Sequence, residues 1–163
     1  MILFITFTTM IHGILFAYDE YILHKKRSLS QKEVNSGLID GVLFLSTVAM
    51  TLFTSFSSTL SIVYISLSLL SCLAIIKHEY FLPKEISVKE RLIHVTLYIL
   101  HPLILYAFYI SWKLNFFGTN LTYWMLQLGY FALGFKAISY HVIYWNYIYE
   151  RNPEKRKSII LKG

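Results

Sequence analysis

The sequence predicts an all-α, polytopic integral membrane bundle of about five transmembrane helices, with its N-terminus outside and its C-terminus in the cytoplasm. Three observations predict this. The chain of 163 residues is 56% hydrophobic, with a mean hydropathy of +0.53, whereas soluble domains hold roughly 45–50% apolar residues even with Gly counted. Its apolar residues come in runs near the ~20 residues that cross a ~30 Å hydrocarbon core. Its charge is gathered into three short stretches, Lys25 to Glu33, Lys77 to Arg91 and Glu150 to Lys162; only Lys113 and Lys136 among the fifteen Lys and Arg fall outside them.

The spans follow in order. The first runs from about Ile2 to Leu23. It lacks the basic start and small-residue cleavage site of a signal peptide, so it reads as a retained span. The second runs from about Gly37 to Phe53 and the third from about Leu60 to Ile76. They must be separate, because one helix over Ser36 to Ile76 would span about 60 Å at ~1.5 Å per residue. The polar run Ser55 to Thr59 supplies the turn. The fourth span runs from about Glu90 to Trp112 and the fifth from about Leu121 to Tyr149. Residues 1–149 form one bundle by this reading, and 150–163 a basic cytoplasmic tail.

The connections alternate in charge. The first–second loop, the third–fourth loop and the tail are basic, and the opposite ends carry only Lys113. By the positive-inside rule the basic ends are cytoplasmic, in an inner or plasma membrane. A net charge of +6 would point to nucleic acid in a soluble chain. Here the cations flank apolar spans, so the expected partners are anionic lipids, with no nucleic acid. Tyr18, Tyr21, Tyr80 and Phe81 are placed to form the inner aromatic belt, and Trp112, Phe116, Phe117 and Trp124 the outer. Cys72, the single cysteine, lies within an apolar run and rules out a disulfide framework. Asn120-Leu121-Thr122 matches a glycosylation sequon.

A weak repeat joins spans one and two to spans three and four. Glu20-Tyr21-Ile22-Leu23 resembles Glu79-Tyr80-Phe81-Leu82, and Ser30-Gln31-Lys32-Glu33 resembles Ser87-Val88-Lys89-Glu90. Both Ser-x-x-Glu sets have capping-box spacing.

Ionisable groups within spans are costly and mark function by default. At ~100° per residue, positions i, i+4, i+7 and i+11 share a helix face. Glu90, His94 and His101 form such a stripe; His12 and Asp19 are i, i+7, as are Glu33 and Asp40. Lys136, Tyr140, Tyr144 and Tyr147 make a polar-tipped face on span five, with His141 at its edge. His24 and His78 sit at loop borders and are expected to be solvated. Mixed carboxylate and imidazole donors suit Zn²⁺, Fe²⁺ or Mn²⁺ better than Ca²⁺ or Mg²⁺. The spacing differs from HExxH and from the clustered His-x-x-His-His of membrane desaturases.

The expected metal ligands are therefore His12, Asp19, Asp40, Glu90, His94 and His101, with His141 and Tyr144 as catalytic groups. The function expected is a metal-dependent enzyme, with non-haem iron or zinc, acting on a lipid or other apolar small molecule. Two alternatives stand beside it. One is a small transporter, proton-coupled carrier or membrane-complex subunit. The other is a haem-binding electron-transfer protein using two deep histidines, His12 with His101 or His101 with His141.

Overall fold

The structure, a computed structural model, describes residues 2–27, 29–80 and 86–149. All of its regular elements are helical. Helix α1 (Ile2–Tyr18) runs through a π-helical segment (Asp19–Leu23) into the one-turn α2 (His24–Arg27). Helices α3 (Gln31–Phe53) and α4 (Ser58–Tyr80) form a hairpin. Then come α5 (Val88–Lys113), the short α6 (Phe116–Thr119) and α7 (Leu121–Ile143), which passes into a second π-helical segment (Tyr144–Tyr149). The tail from residue 150 onward and the Phe81–Leu82 half of the second repeat copy lie outside the described residues.

Four stretches, Ile2–Lys26, Gln31–Phe53, Ser58–Lys77 and Val88–Lys113, are long and apolar enough to cross a membrane. The expected fifth span is a helix as long as α3, 23 residues each. It packs against α1 and α3.

Local chemistry sets the helix ends. Ser30 Oγ accepts from Glu33 N (3.3 Å) and Glu33 Oε2 accepts from Ser30 N (2.8 Å), a complete capping box. This moves the start of α3 to Gln31, a turn and a half before the apolar run begins. Ser87 Oγ caps Glu90 N at 3.2 Å. Asn120, the sequon residue, caps α7 by accepting from Tyr123 N at 2.9 Å. Two tryptophans of the expected outer belt hydrogen-bond to the end of α3. Trp112, 4% exposed, donates Nε1–H to Thr54 O (2.7 Å), and Trp124 donates to Leu52 O (3.2 Å). Both satisfy carbonyls that the end of α3 would otherwise orphan.

The apolar core fills the half of the bundle away from the basic loops. Phe44, Leu45, Val48 and Leu52 of α3 pack there against Ile104, Leu105 and Phe108 of α5. A smaller cluster joins Ile5, Ala107 and Tyr123. Helices in lipid associate by close packing rather than by a hydrophobic drive, so small residues gather at contacts. A Cβ on Gly41 would lie 2.7 Å from Ile138 Cδ1, and one on Gly134 would lie 2.8 Å from Leu45 Cδ2. These two glycines set the approach of α3 to α7, and the polar half of the bundle opens beside them.

Candidate metal centre

Near the basic end of the bundle, α1 and its π segment face the first turns of α5. Asp19, His24, Glu90 and His94 meet there, each offering one donor atom, all within 4.8 Å of one another. The four are 3–6% exposed. Donors bound at ~2.1 Å lie ~3.4 Å apart around a tetrahedral ion and ~4.2 Å apart where trans in an octahedral one, so the cluster would contract to close on an ion. The residues present thus fit a divalent metal.

The π segment is what completes the cluster. Five α-helical steps of ~100° carry a residue ~140° past its starting face, so α-periodicity turns His24 away from Asp19. In the π segment the amide of His24 bonds Asp19 O, five residues back, and the extra residue per turn brings the two side chains together. His24 Nε2 then lies 3.2 Å from Asp19 Oδ2. The expectation that His24 would be solvated is overturned for this reason: it is 6% exposed.

His24 is also oriented from behind. Its Nδ1 faces Glu20 Oε2 at 3.0 Å, one helical turn away, so Nδ1–H donates to the carboxylate and Nε2 is left on the side of Asp19. Nε2 is buried and makes no hydrogen bond. This is the carboxylate–histidine arrangement that fixes a metal-ligating imidazole. His94 Nε2 stands 3.2 Å from both Asp19 oxygens.

The other oxygen of Glu20 anchors α7. Glu20 Oε1 accepts from His141 Nδ1 (2.9 Å) and from Trp145 Nε1 (3.3 Å). His141 Nε2 donates to Val34 O at 3.1 Å. Glu20, 3% exposed, therefore ties the π segment of α1 to the start of α3 and to the end of α7. Reading by stripes missed it. The i, i+4 spacing of Glu20 and His24 was the signal that could have found it.

The six expected ligands separate into two layers. Asp19, Glu90 and His94 converge, with His24 as the fourth member. His12, Asp40 and His101 lie about two turns deeper and do not join them. His12 Nδ1 is bonded to Tyr130 OH at 2.8 Å. His101 Nε2 is bonded to Ser71 Oγ at 2.8 Å, and the same hydroxyl lies 3.4 Å from Asp40 Oδ1. His101 Nε2 and Asp40 Oδ1 are 3.9 Å apart. Of the two expected catalytic groups, His141 is placed behind the cluster through Glu20. Tyr144 stacks on Tyr140 (5.2 Å between centroids) and meets Trp145 edge-on, with Lys25 Nζ 5.0 Å from its ring centre.

A cavity of about 450 Å³ connects the layers. Asp19, His24 and His94 line one end, and His12, Asp40 and His101 line the other, with Phe16 and Leu97 between. No family model, no curated protein and no solved structure matches this chain.

Proposed function

We propose that the protein is an integral membrane, metal-dependent enzyme whose ion is held by Asp19, His24, Glu90 and His94 and whose apolar substrate occupies the adjoining cavity. The observation that carries this reading is the convergence of four buried donors, from Asp19, His24, Glu90 and His94, within 4.8 Å of one another, with Glu20 behind His24. Nitrogen and oxygen donors in equal number suit zinc or non-haem iron. Zinc would supply an activated water for hydrolysis, and iron would supply oxidation. The protein's own contribution is to hold the donors, to exclude bulk water with its apolar walls and to admit a lipid or similar molecule from the side. Charge distribution supports five spans with the metal layer near the cytoplasmic face, N-terminus outside and C-terminus inside.

One measurement decides the matter. The purified protein, dialysed against zinc and against ferrous iron, should retain about one ion per chain. Retention should be lost in His94→Ala and His24→Ala. Metal-free protein that keeps its cellular role in both variants would overturn the enzyme reading. It would favour a proton-coupled carrier, which the hydrogen-bonded groups of the deep layer, Asp40–Ser71–His101 and His12–Tyr130, would suit.

Ring packing favours the metal reading over the haem alternative. Phe44 packs 5.5 Å from His12 and 4.6 Å from His101, and those two rings are 6.5 Å apart. The Phe44 ring thus lies near the plane that bisects them, where a porphyrin would have to be. His141 has both ring nitrogens engaged, by Glu20 and Val34.

A further inference from the structure

The cavity has a second polar station with no role in holding the ion. On α1, His12 lies seven residues from Asp19, and on α5, His101 lies seven from His94. Each offset is two turns, or ~10 Å at ~1.5 Å per residue. Asp40 sits six residues into α3 beyond Val34, and Lys136 five residues before His141 on α7. Both therefore lie ~8–9 Å above the level at which His141 meets Val34. Asp40 and Lys136 line the same cavity from neighbouring helices. The Asp40 side chain is 17% exposed, with Ser71 against one oxygen. Lys136 has no ion-pair partner among the described residues. The lining also includes Leu133, which is 65% exposed, so the cavity opens sideways along α7.

A carboxylate and an ammonium at mid-span are costly unless something polar meets them. The carboxylate accepts hydrogen bonds and the ammonium donates them. A hydroxyl can do both at once. We infer that the ligand of this cavity is an apolar chain with two polar groups, a metal-binding group at the Asp19–His94 layer and a hydroxyl at Asp40 and Lys136. The separation sets its length, since ~10 Å is covered by roughly eight carbon–carbon bonds of ~1.5 Å in extended zigzag. The apolar middle of the chain lies against Phe16 and Leu97. This deepens the metal-enzyme reading and rests on it.

Hydroxamic acids serve as probes, because the hydroxamate binds zinc whatever the natural reaction. Zinc-loaded protein in detergent is titrated with octanohydroxamic acid and with its ω-hydroxy derivative, then with the hexano and dodecano pairs. The terminal hydroxyl should tighten binding roughly tenfold, the worth of one hydrogen bond to a charged group, and the gain should peak at the octano pair. Asp40→Asn and Lys136→Met should each reduce that gain, read as the ratio of the two octano affinities within each variant. Equal affinity for the two octano compounds, with the plain one still bound, overturns this inference and leaves the metal centre standing. Absence of binding by every hydroxamate to protein incubated with zinc removes the metal centre and this inference with it.

Discussion

His141 Nδ1 lies 2.9 Å from Glu20 Oε1, across 121 positions of sequence. Through this contact the last long helix reaches the carboxylate behind His24 without entering the donor cluster. Its other ring nitrogen donates to Val34 O, so the imidazole clamps three helices around one carboxylate.

Glu20→Gln keeps the shape but gives His24 Nδ1 a weaker acceptor and one that can turn its amide away. Loss of such a backing carboxylate typically costs ~10–100-fold in metal affinity. Chelator competition with zinc should show a drop of that size, with the helical circular dichroism retained. Unchanged affinity would make Glu20 a purely structural tie.

The two layers predict different responses to the same kind of substitution. Asp19→Asn and Glu90→Gln should each abolish stoichiometric zinc or iron, as read by elemental analysis of the purified protein. Asp40→Asn and His101→Ala should retain the ion. Metal loss in the deep-layer variants would mean that the layers act as one site. Metal retention should also fall on acidification, because protons compete for the imidazole ligands.

Gly41→Ala should destabilise the bundle by about 1–3 kcal/mol through overpacking, since the new methyl would meet Ile138 at 2.7 Å. Thermal unfolding in detergent checks it. Ile138→Ala should recover part of the loss in the double variant. If Gly41→Ala is neutral alone, the α3–α7 contact is looser than this geometry.

Ser30→Ala removes a side-chain acceptor from the complete capping box and should cost ~0.5–2 kcal/mol. Metal content should stay the same, because Glu33 of that box stands apart from the cluster. The matched change Ser87→Ala releases the amide of Glu90, which is a cluster residue, and should lower metal affinity as well as stability. Equal metal content in the two variants would separate the cap of α5 from the site.

Much of the bundle could be read from residues alone, and the reasons are physical. Apolar run length and the confined charge mark the helices because lipid tolerates neither exposed backbone nor stray cations. Helix starts needed more than hydropathy. Gln31 opens α3 because Ser30 and Glu33 cap it, although the apolar run begins later. The twin Ser-x-x-Glu sets look alike in sequence but part in space: Glu33 closes its box, while Glu90 joins Asp19 and His94. Nothing local separates them, since the difference lies in which helix faces each one. His24 escaped a 100° count because the turn holding it is not α-helical. Glu20 escaped because its partners, His141 and Trp145, come from the far end of the chain. Trp112 and Trp124 were read as interface anchors, and the carbonyls at the end of α3 that accept from their indoles could not be read locally.

The π segment also bears on how much alteration α1 tolerates. Deleting any one of Tyr21, Ile22 or Leu23 turns the i, i+5 relation of Asp19 and His24 into i, i+4, a spacing that an ordinary α-turn also brings to one face. Elsewhere in the bundle, removing one residue swings everything beyond it by ~100°. Here the lost residue comes out of the slack in the wide turn. The donor pair is thus compatible with two lengths of the same helix.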